Sequence, residues 1–590
     1  MKKYFHCLLL LILPIIMVFT SLYLNIGPHW VVYNYDPEYQ YLLNSLNLAH
    51  MKPVGLVEHP GTTVQSMGAL ILRTVHLLRF SSQADLKTDV LTNPEFYLAK
   101  IIRVFLGLNT VMLLILGLVT FWLTKSILSS LLVQTAPFFP HILEGFLFCL
   151  MTIRPESFLL LSSLLFLITL ILFINKDTEK INHYFSHSRY LGKLSPDWVF
   201  TICFSIVSGF GMATKVTFIP LLVIPLIILP RYRYRITYVL GTALCFIFFT
   251  LPIIKEYDVV FSWFFSVFTH FGVHGLGPKK IIEPLEYLSN MKFILFYNGF
   301  LSIILFCSLC ILVIGSIVPR FRKVSAQSVV FRILFAVSIS QLLGIIIVAK
   351  HYRGFPDNYY LIPVLTLSGI MLLLIINYLG QLGLDFGIKG TGTLRKDKTG
   401  IVIFRIKSTW VVALIIMTCL FNSRKSEIIG FYQWKLRLAE HIFKITHKVE
   451  NDYKDYARIY YLGSSAPAIA LAYGDSSARR YYSRFLQKLY PNVYFYDYFT
   501  GKFLYWSQEE DHVLNQVPNP LTTNEVSFEE IVSKYGHKII FQGPTFEDLF
   551  AMFRGSWRSL SHTKPDVPLR DTIEEKRVDP AHETILELDY

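Results

Sequence analysis

Charge is scarce in this sequence, and cysteine is missing wherever the chain turns polar. Only 16% of the 590 residues are charged, whereas an ordinary soluble domain carries roughly 25%. Those few charges gather between long apolar stretches, and 53% of the chain is apolar. A soluble globular protein is excluded. The seven cysteines, Cys7, Cys149, Cys203, Cys245, Cys307, Cys310 and Cys419, all fall inside apolar segments. None lies in the C-terminal region, so a disulfide framework there is excluded. Cys307 and Cys310 form a CxxC within an apolar stretch without further ligands, which reads as helix packing. No metal-site spacing stands out, so neither metal nor other cofactor is expected. Repeats and low-complexity tracts are missing as well.

What the sequence does have is apolar length. A spanning helix needs roughly 20 mostly apolar residues, and about eleven segments approach or meet that. The formal net charge is +14, but the basic residues sit mostly in short loops between spans. That placement is the orientation signal of membrane insertion, and nucleic acid is not expected as a partner. Met1-Lys2-Lys3 and the apolar run to Leu24 read as a first span entering from the cytoplasm, since no small-x-small cleavage pattern follows. Further spans follow at about 97–124, two within 127–174, then 198–214, 217–230, 236–254, 293–318, 329–349, 359–379 and 408–422. In this threading the loops holding Lys176 and Lys180, Arg231 to Arg235, Arg320 to Lys323, and Lys389 to Lys407 all face the cytoplasm.

The stretch 64–80 is left as an interfacial helix. Arg73, His76 and Arg79 recur every third residue on one side, and a span there would invert every later loop. Residues 38–50 form a second amphipathic stretch, with Tyr39, Leu42, Leu43 and Leu46 together. Gly61-Thr62-Thr63 supplies a turn and a hydroxyl cap. Beyond 422, RIYYLG (458–463) reads as a buried strand and VYFYDYFTGKFLYW (493–506) as a hairpin around Thr500-Gly501. Ser527 with Glu530 makes a capping box for a short helix ending at Gly536, followed by the strand HKIIFQ. The expected fold is an α-helical polytopic membrane protein with about 11 transmembrane helices and two interfacial helices in the first outside loop. It occupies 1–422, and a small soluble α/β domain, 423–590, follows on the non-cytoplasmic side. The cysteine-free outer domain leans towards a bacterial inner membrane.

Ionisable side chains at the membrane face are costly and usually functional. The threading brings four groups to one face: Asp36 and Glu38 in Asn34-Tyr35-Asp36-Pro37-Glu38; Glu58 and His59 before Pro60-Gly61-Thr62-Thr63; Arg154 and Glu156 around Pro155; and Lys215 in GMATK with Lys350, His351 and Arg353. Sugar transfer from a lipid phosphate to a hydroxyl requires a base for the acceptor proton and cations for the departing phosphate. This set supplies both. Each residue also has a plain structural reading. Asp36 is then a loop acid or helix cap, Glu38 a first-turn acid, Glu58 and His59 interfacial polar residues, and Arg154 and Glu156 partners of each other. Lys215 snorkels, and Lys350 and Arg353 are flanking charges.

The layout resembles the membrane-embedded glycosyltransferases of the GT-C class, in particular the branch of the protein O-mannosyltransferases and the lipid A aminoarabinose transferase. An acidic motif soon after the first span, here Asp36-Pro37-Glu38, is followed there by two interfacial helices, as at 38–50 and 64–80. GMATK and HYRGFPDNYYLIP resemble further features of that class, over roughly residues 1–422. The resemblance implies an inverting transfer from a polyprenyl-phosphate sugar, with Asp36 as base and the remaining residues as substrate contacts. Glu58-His59-Pro60-Gly61-Thr62-Thr63 departs from the better-known branches, so the acceptor stays open between lipid, glycan and protein. The alternatives are a transporter or flippase, which calls for inverted repeats and broken helices, and a surface-polysaccharide polymerase or ligase using the 255–292 loop with His270, His274 and Lys279. A receptor with a C-terminal sensor domain is the third.

Overall fold

Proline opens several of the helices among the described residues, in the first turn, where its missing N–H breaks no hydrogen bond. Helices Pro94–Thr124, Pro155–Ile174, Pro196–Thr214, Pro284–Tyr297 and Pro319–Gln327 all begin this way. In the first three an acid follows at once, Glu95, Glu156 and Asp197, where the helix dipole favours it. The computed structural model describes residues 8–25, 28–33, 38–57, 60–79, 84–140, 150–178, 195–272, 275, 277–351, 358–382, 409–461, 465–497, 502–506, 524–536, 538–543 and 584–587.

Six helices are long and apolar enough to cross a membrane: Pro94–Thr124, Pro155–Ile174, Pro196–Thr214, Gly299–Ile317, Val329–His351 and Tyr359–Gln381. A seventh crossing exists if Tyr232–Phe249 and Leu251–Thr269, which meet at 86°, count as one. Three expected spans fall on shorter apolar helices, Ile12–Leu24, Ile127–Phe138 and Val216–Ile228. Thirteen residues reach only about 20 Å at 1.5 Å per residue, against a hydrocarbon core of about 30 Å. The last expected span is the start of one 44-residue helix, Thr409–Asp452. The chain is thus a helical membrane protein carrying a small C-terminal sheet.

The chain divides into two compact units: Met1–Leu24, Glu58–Thr63 and Ile102–Ile429 form the first, and Asn25–Val57, Val64–Ile101 and Gly430–Tyr590 the second. A division at 422 follows chain position, whereas these units follow packing. In the first, small residues let helices Pro196–Thr214 and Tyr232–Phe249 approach closely. A Cβ on Gly209 would stand 2.4 Å from the Cβ of Cys245, and one on Gly241 2.7 Å from Ser205 Oγ. Cys307 and Cys310 are free thiols on helix Gly299–Ile317.

The second unit is built on a six-stranded sheet. Its strands are β1 (Ala457–Tyr461), β2 (Val493–Asp497), β3 (Lys502–Tyr505), β4 (Asn524–Val526), β5 (Ile539–Gly543) and β6 (Thr584–Glu587), ordered β4-β3-β2-β1-β5-β6. β1 runs parallel to both β2 and β5, so the central strand is flanked by crossovers and reads as a buried apolar run. The expected hairpin is the antiparallel β2–β3 pair, with Tyr496 opposite Phe503; its turn at Thr500-Gly501 lies outside the described residues. The serine half of the capping box is present: Glu530 N–H donates to Ser527 Oγ at 3.1 Å, and helix Phe528–Tyr535 stops at Gly536 with φ 60°.

Helices Glu38–Ala49 and Thr62–Leu78 form where two interfacial helices are expected. The first is buried on nearly every side, with Asn44, Ser45 and Asn47 buried as well as Tyr39, Leu42, Leu43 and Leu46. It packs on helix Pro467–Ser477, so closely that a Cβ on Gly474 would stand 2.8 Å from the Tyr39 carbonyl oxygen. Its amides are matched to backbone. Asn44 Nδ2 donates to the Ser477 carbonyl at 3.2 Å, and Asn44 Oδ1 accepts from Gly55 N–H at 2.7 Å. Asn47 Nδ2 donates to the Ala478 carbonyl at 3.0 Å, and the Tyr482 hydroxyl donates to Asn47 Oδ1 at 2.6 Å. The second helix keeps Leu70, Leu77 and Leu78 exposed. Arg73 Nε donates to the Ala49 carbonyl at 2.8 Å, while Arg79 pairs with Asp89 at 2.7 Å. Its basic residues are therefore staples within the unit.

Candidate functional site

Three helix ends of the first unit carry the candidate site. Helix Pro155–Ile174 brings Arg154 as its N-terminal flank and Glu156 in its first turn. Helix Pro196–Thr214 ends at Lys215, whose backbone is extended before the short turn Val216–Phe218. The turn Asn358–Leu361 opens the last of the six long helices and carries Tyr359 and Tyr360.

Lys215 Nζ donates to Glu156 Oε1, and both side chains are about 5% exposed. The same ammonium lies 4.5 Å from the Tyr360 ring centre and 5.1 Å from that of Tyr359. Two aromatic faces and one carboxylate thus surround it, which offsets the desolvation that a buried ammonium suffers. The pairing corrects an expectation. Glu156 answers Lys215 and not Arg154, its neighbour two positions back, because Arg154 precedes the helix in an extended conformation while Glu156 lies inside it. Arg154 is itself buried.

The turn at Gly61 is tied to the same place. Thr62 Oγ1 donates to the Ala213 carbonyl at 3.4 Å, and the hydroxyls of Thr63 and Thr214 are 2.8 Å apart. Gly61-Thr62-Thr63 and GMATK, two motifs 150 residues apart in order, therefore meet. Glu58 and His59 themselves lie outside the described residues, as do Asp36, Arg353 and His274.

Two other candidates are engaged elsewhere in this unit. Lys350 Nζ donates to the carbonyls of Val267 at 2.8 Å and Phe268 at 2.5 Å, and His351 Nδ1 meets the Gly272 carbonyl at 2.9 Å. They hold the C-terminal end of helix Tyr257–Thr269, where a cation complements the helix dipole. Glu38 is buried in the first turn of helix Glu38–Ala49, in the second unit. Sequence reasoning passed over Tyr359 and Tyr360 as flanks of Lys215, although both stand in the quoted run DNYYLIP. Their adjacency to Lys215 is a tertiary fact with no local signal. Among the described residues, no group of three His, Cys, Asp or Glu side chains is placed to hold a metal ion.

Fold and site together define a class: a polytopic helical membrane protein with an α/β unit and a buried ion pair at its helix ends. Compared with known proteins, the sequence matches no family model and no curated protein.

Proposed function

We propose that this chain is a glycosyltransferase that takes a sugar from a polyprenyl-phosphate donor and passes it, with inversion, to a lipid, glycan or protein acceptor. Eleven passes would carry it through a bacterial inner membrane, with the α/β unit and the site on the non-cytoplasmic side. The observation that carries this reading is the buried Lys215–Glu156 pair with Tyr359 and Tyr360. An ionisable pair at the ends of apolar helices is expensive to keep and marks function by default.

In the reaction, Asp36 accepts the proton of the acceptor hydroxyl as that oxygen bonds to the anomeric carbon. The bond from that carbon to the phosphate oxygen breaks on the opposite face, and its electron pair stays on the phosphate. Lys215 and Arg154 are the cations that steady the departing phosphate. Glu156 holds Lys215 in place, and Glu58, His59 and Arg353 complete the set of substrate contacts.

A flippase of a lipid-linked substrate is the second reading, and the 86° break between Tyr232–Phe249 and Leu251–Thr269 favours it, since transporters use broken helices. Mass spectrometry of envelope glycolipids and glycoproteins separates the two, in cells with wild type, Asp36→Asn, Lys215→Gln or no protein. The transferase reading expects a single added sugar mass that needs wild type and vanishes in Asp36→Asn at equal membrane levels. A glycan profile unchanged by Asp36→Asn removes Asp36 as base and moves the flippase ahead.

A further inference from the structure

The acidic segment runs between Tyr33 and Glu38, and one side chain holds the structure on both sides of it. Helix Trp30–Tyr33 leads in and helix Glu38–Ala49 leads out. Glu95 stands in the first turn of helix Pro94–Thr124. Its Oε2 accepts the backbone N–H of His29 at 2.8 Å, and its Oε1 accepts the Tyr39 hydroxyl at 2.6 Å. An acid in a first helical turn has a plain explanation in the helix dipole. That explanation needs nothing from residues 29 and 39, yet both carboxylate oxygens are spent on them. Tyr39 is 2% exposed. Burial, and then the Glu95 charge, push its pKa well above the ordinary tyrosine value, so the hydroxyl stays a donor.

The C-terminal region grips the same two flanks. On the incoming side, Ser465 Oγ donates to the Val31 carbonyl at 2.8 Å. Thr446 Oγ1 donates to the Ser465 carbonyl at 3.2 Å, and Gln542 Nε2, on β5, donates to Thr446 Oγ1 at 2.9 Å. On the outgoing side, helix Glu38–Ala49 is fastened through Asn44 and Asn47 to the end of helix Pro467–Ser477. All of these residues belong to the second compact unit.

We propose that Glu95 is a positioning residue for the transfer reaction: its carboxylate fixes the two ends of the acidic segment against each other, on a scaffold that the C-terminal α/β region completes. It touches no reacting atom and acts through Asp36. The inference rests on the transferase reading above and gives the C-terminal region a part in it.

The test follows sugar addition by mass spectrometry over time, per unit of membrane-inserted full-length protein, for wild type, Asp36→Asn, Glu95→Gln, Glu95→Asp and Tyr39→Phe. The thermal midpoint of each detergent-extracted protein is measured alongside. Glu95→Gln loses the charge and one of its two acceptor oxygens, and its rate is expected to fall about tenfold at a nearly unchanged midpoint. Tyr39→Phe, which loses one bond, should fall less, and Glu95→Asp should recover part of the rate. If Glu95→Gln keeps its rate to within about twofold while Asp36→Asn abolishes addition, positioning by Glu95 is wrong and the transferase reading stands. If rate and midpoint fall together and aspartate restores neither, Glu95 is only structural and the inference is overturned. If Asp36→Asn adds sugar like wild type, the transferase reading fails and takes the inference with it.

Discussion

The candidate site of the first unit and the helix Glu38–Ala49 of the second bury polar side chains by different means. In the first, the candidate site buries two full charges, Lys215 against Glu156, with tyrosine rings over the ammonium. In the second, the helix Glu38–Ala49 buries neutral amides, and backbone groups and a tyrosine hydroxyl answer them. Two buried acids of that unit are answered in two ways: Asp89 pairs with Arg79 at 2.7 Å, whereas Asp475 Oδ1 accepts Tyr482 N–H at 2.8 Å and its Oδ2 accepts the Ser483 hydroxyl at 2.5 Å. Two dipoles contact that carboxylate directly, with the charges of Arg480 and Lys52 acting on it as well. The difference follows from what each place offers. Helix interiors have spent most of their backbone groups on themselves, and the buried Lys215 ammonium is answered by the opposite charge of Glu156. Loops and helix ends have spare N–H and C=O groups, and the neutral amides of Asn44 and Asn47 find their partners there.

The largest effect that would break this comparison lies in the ion pair. Lys215→Ala leaves the Glu156 carboxylate buried without its cation and should cost about 3–5 kcal/mol. The double change Lys215→Met with Glu156→Leu should recover most of that stability while leaving sugar transfer abolished. Thermal denaturation of the detergent-extracted protein measures both. A single variant as stable as the double one would mean that the pair is not truly desolvated.

A smaller effect sharpens the comparison at Asp475. Burial pushes its carboxyl up from 3.8 to about 6, only partly opposed by the bonds from Ser483 and Tyr482 and by the charges of Arg480 and Lys52. The folded state therefore binds the proton more tightly than the unfolded chain. Stability from this group is complete below the unfolded pKa and is lost as pH rises towards 6, by roughly 3 kcal/mol. Asp475→Asn keeps the shape and removes the titration. Wild type should be the more stable at pH near 4, and the balance should swing towards the variant by pH near 7. A difference in thermal midpoint that does not change with pH would show that the carboxyl titrates normally.

The smallest effect belongs to the surface. Lys502 pairs with Glu525 across strands β3 and β4, with both side chains about half exposed. Lys502→Ala should change the thermal midpoint by less than about 0.5 kcal/mol in equivalent stability. A larger loss would mean that the β4 edge depends on that charge.

Much of the fold is legible in the sequence, and the reason is local. The helix starting at Pro155 needs only a proline, an acid and an apolar run, and the short helix at Phe528 only Ser527, Glu530 and Gly536. The hairpin between β2 and β3 is likewise written in alternating aromatic residues. Less visible is the fate of residues 38–50. The pattern of Tyr39, Leu42, Leu43 and Leu46 shows one apolar side, but the polar side is buried too. Its partners arrive from Ser477 and Ala478, more than 400 residues later, and no spacing within the helix announces them. The candidate site divides in the same way. Residue types and their placement near helix ends were legible at Arg154, Glu156 and Lys215. The engagement of Lys350 and His351 with helix Tyr257–Thr269 was not.

The sequence alone determined where apolar helices form and that the chain belongs in a membrane, because hydropathy, proline starts and caps act within a few residues of one another. Only the tertiary structure decided which charge answers which. Glu156 chose Lys215, 59 positions away, over Arg154 two positions away. A buried charge is settled by whatever opposite charge the packing brings within hydrogen-bond reach, and distance along the chain has no part in that energy.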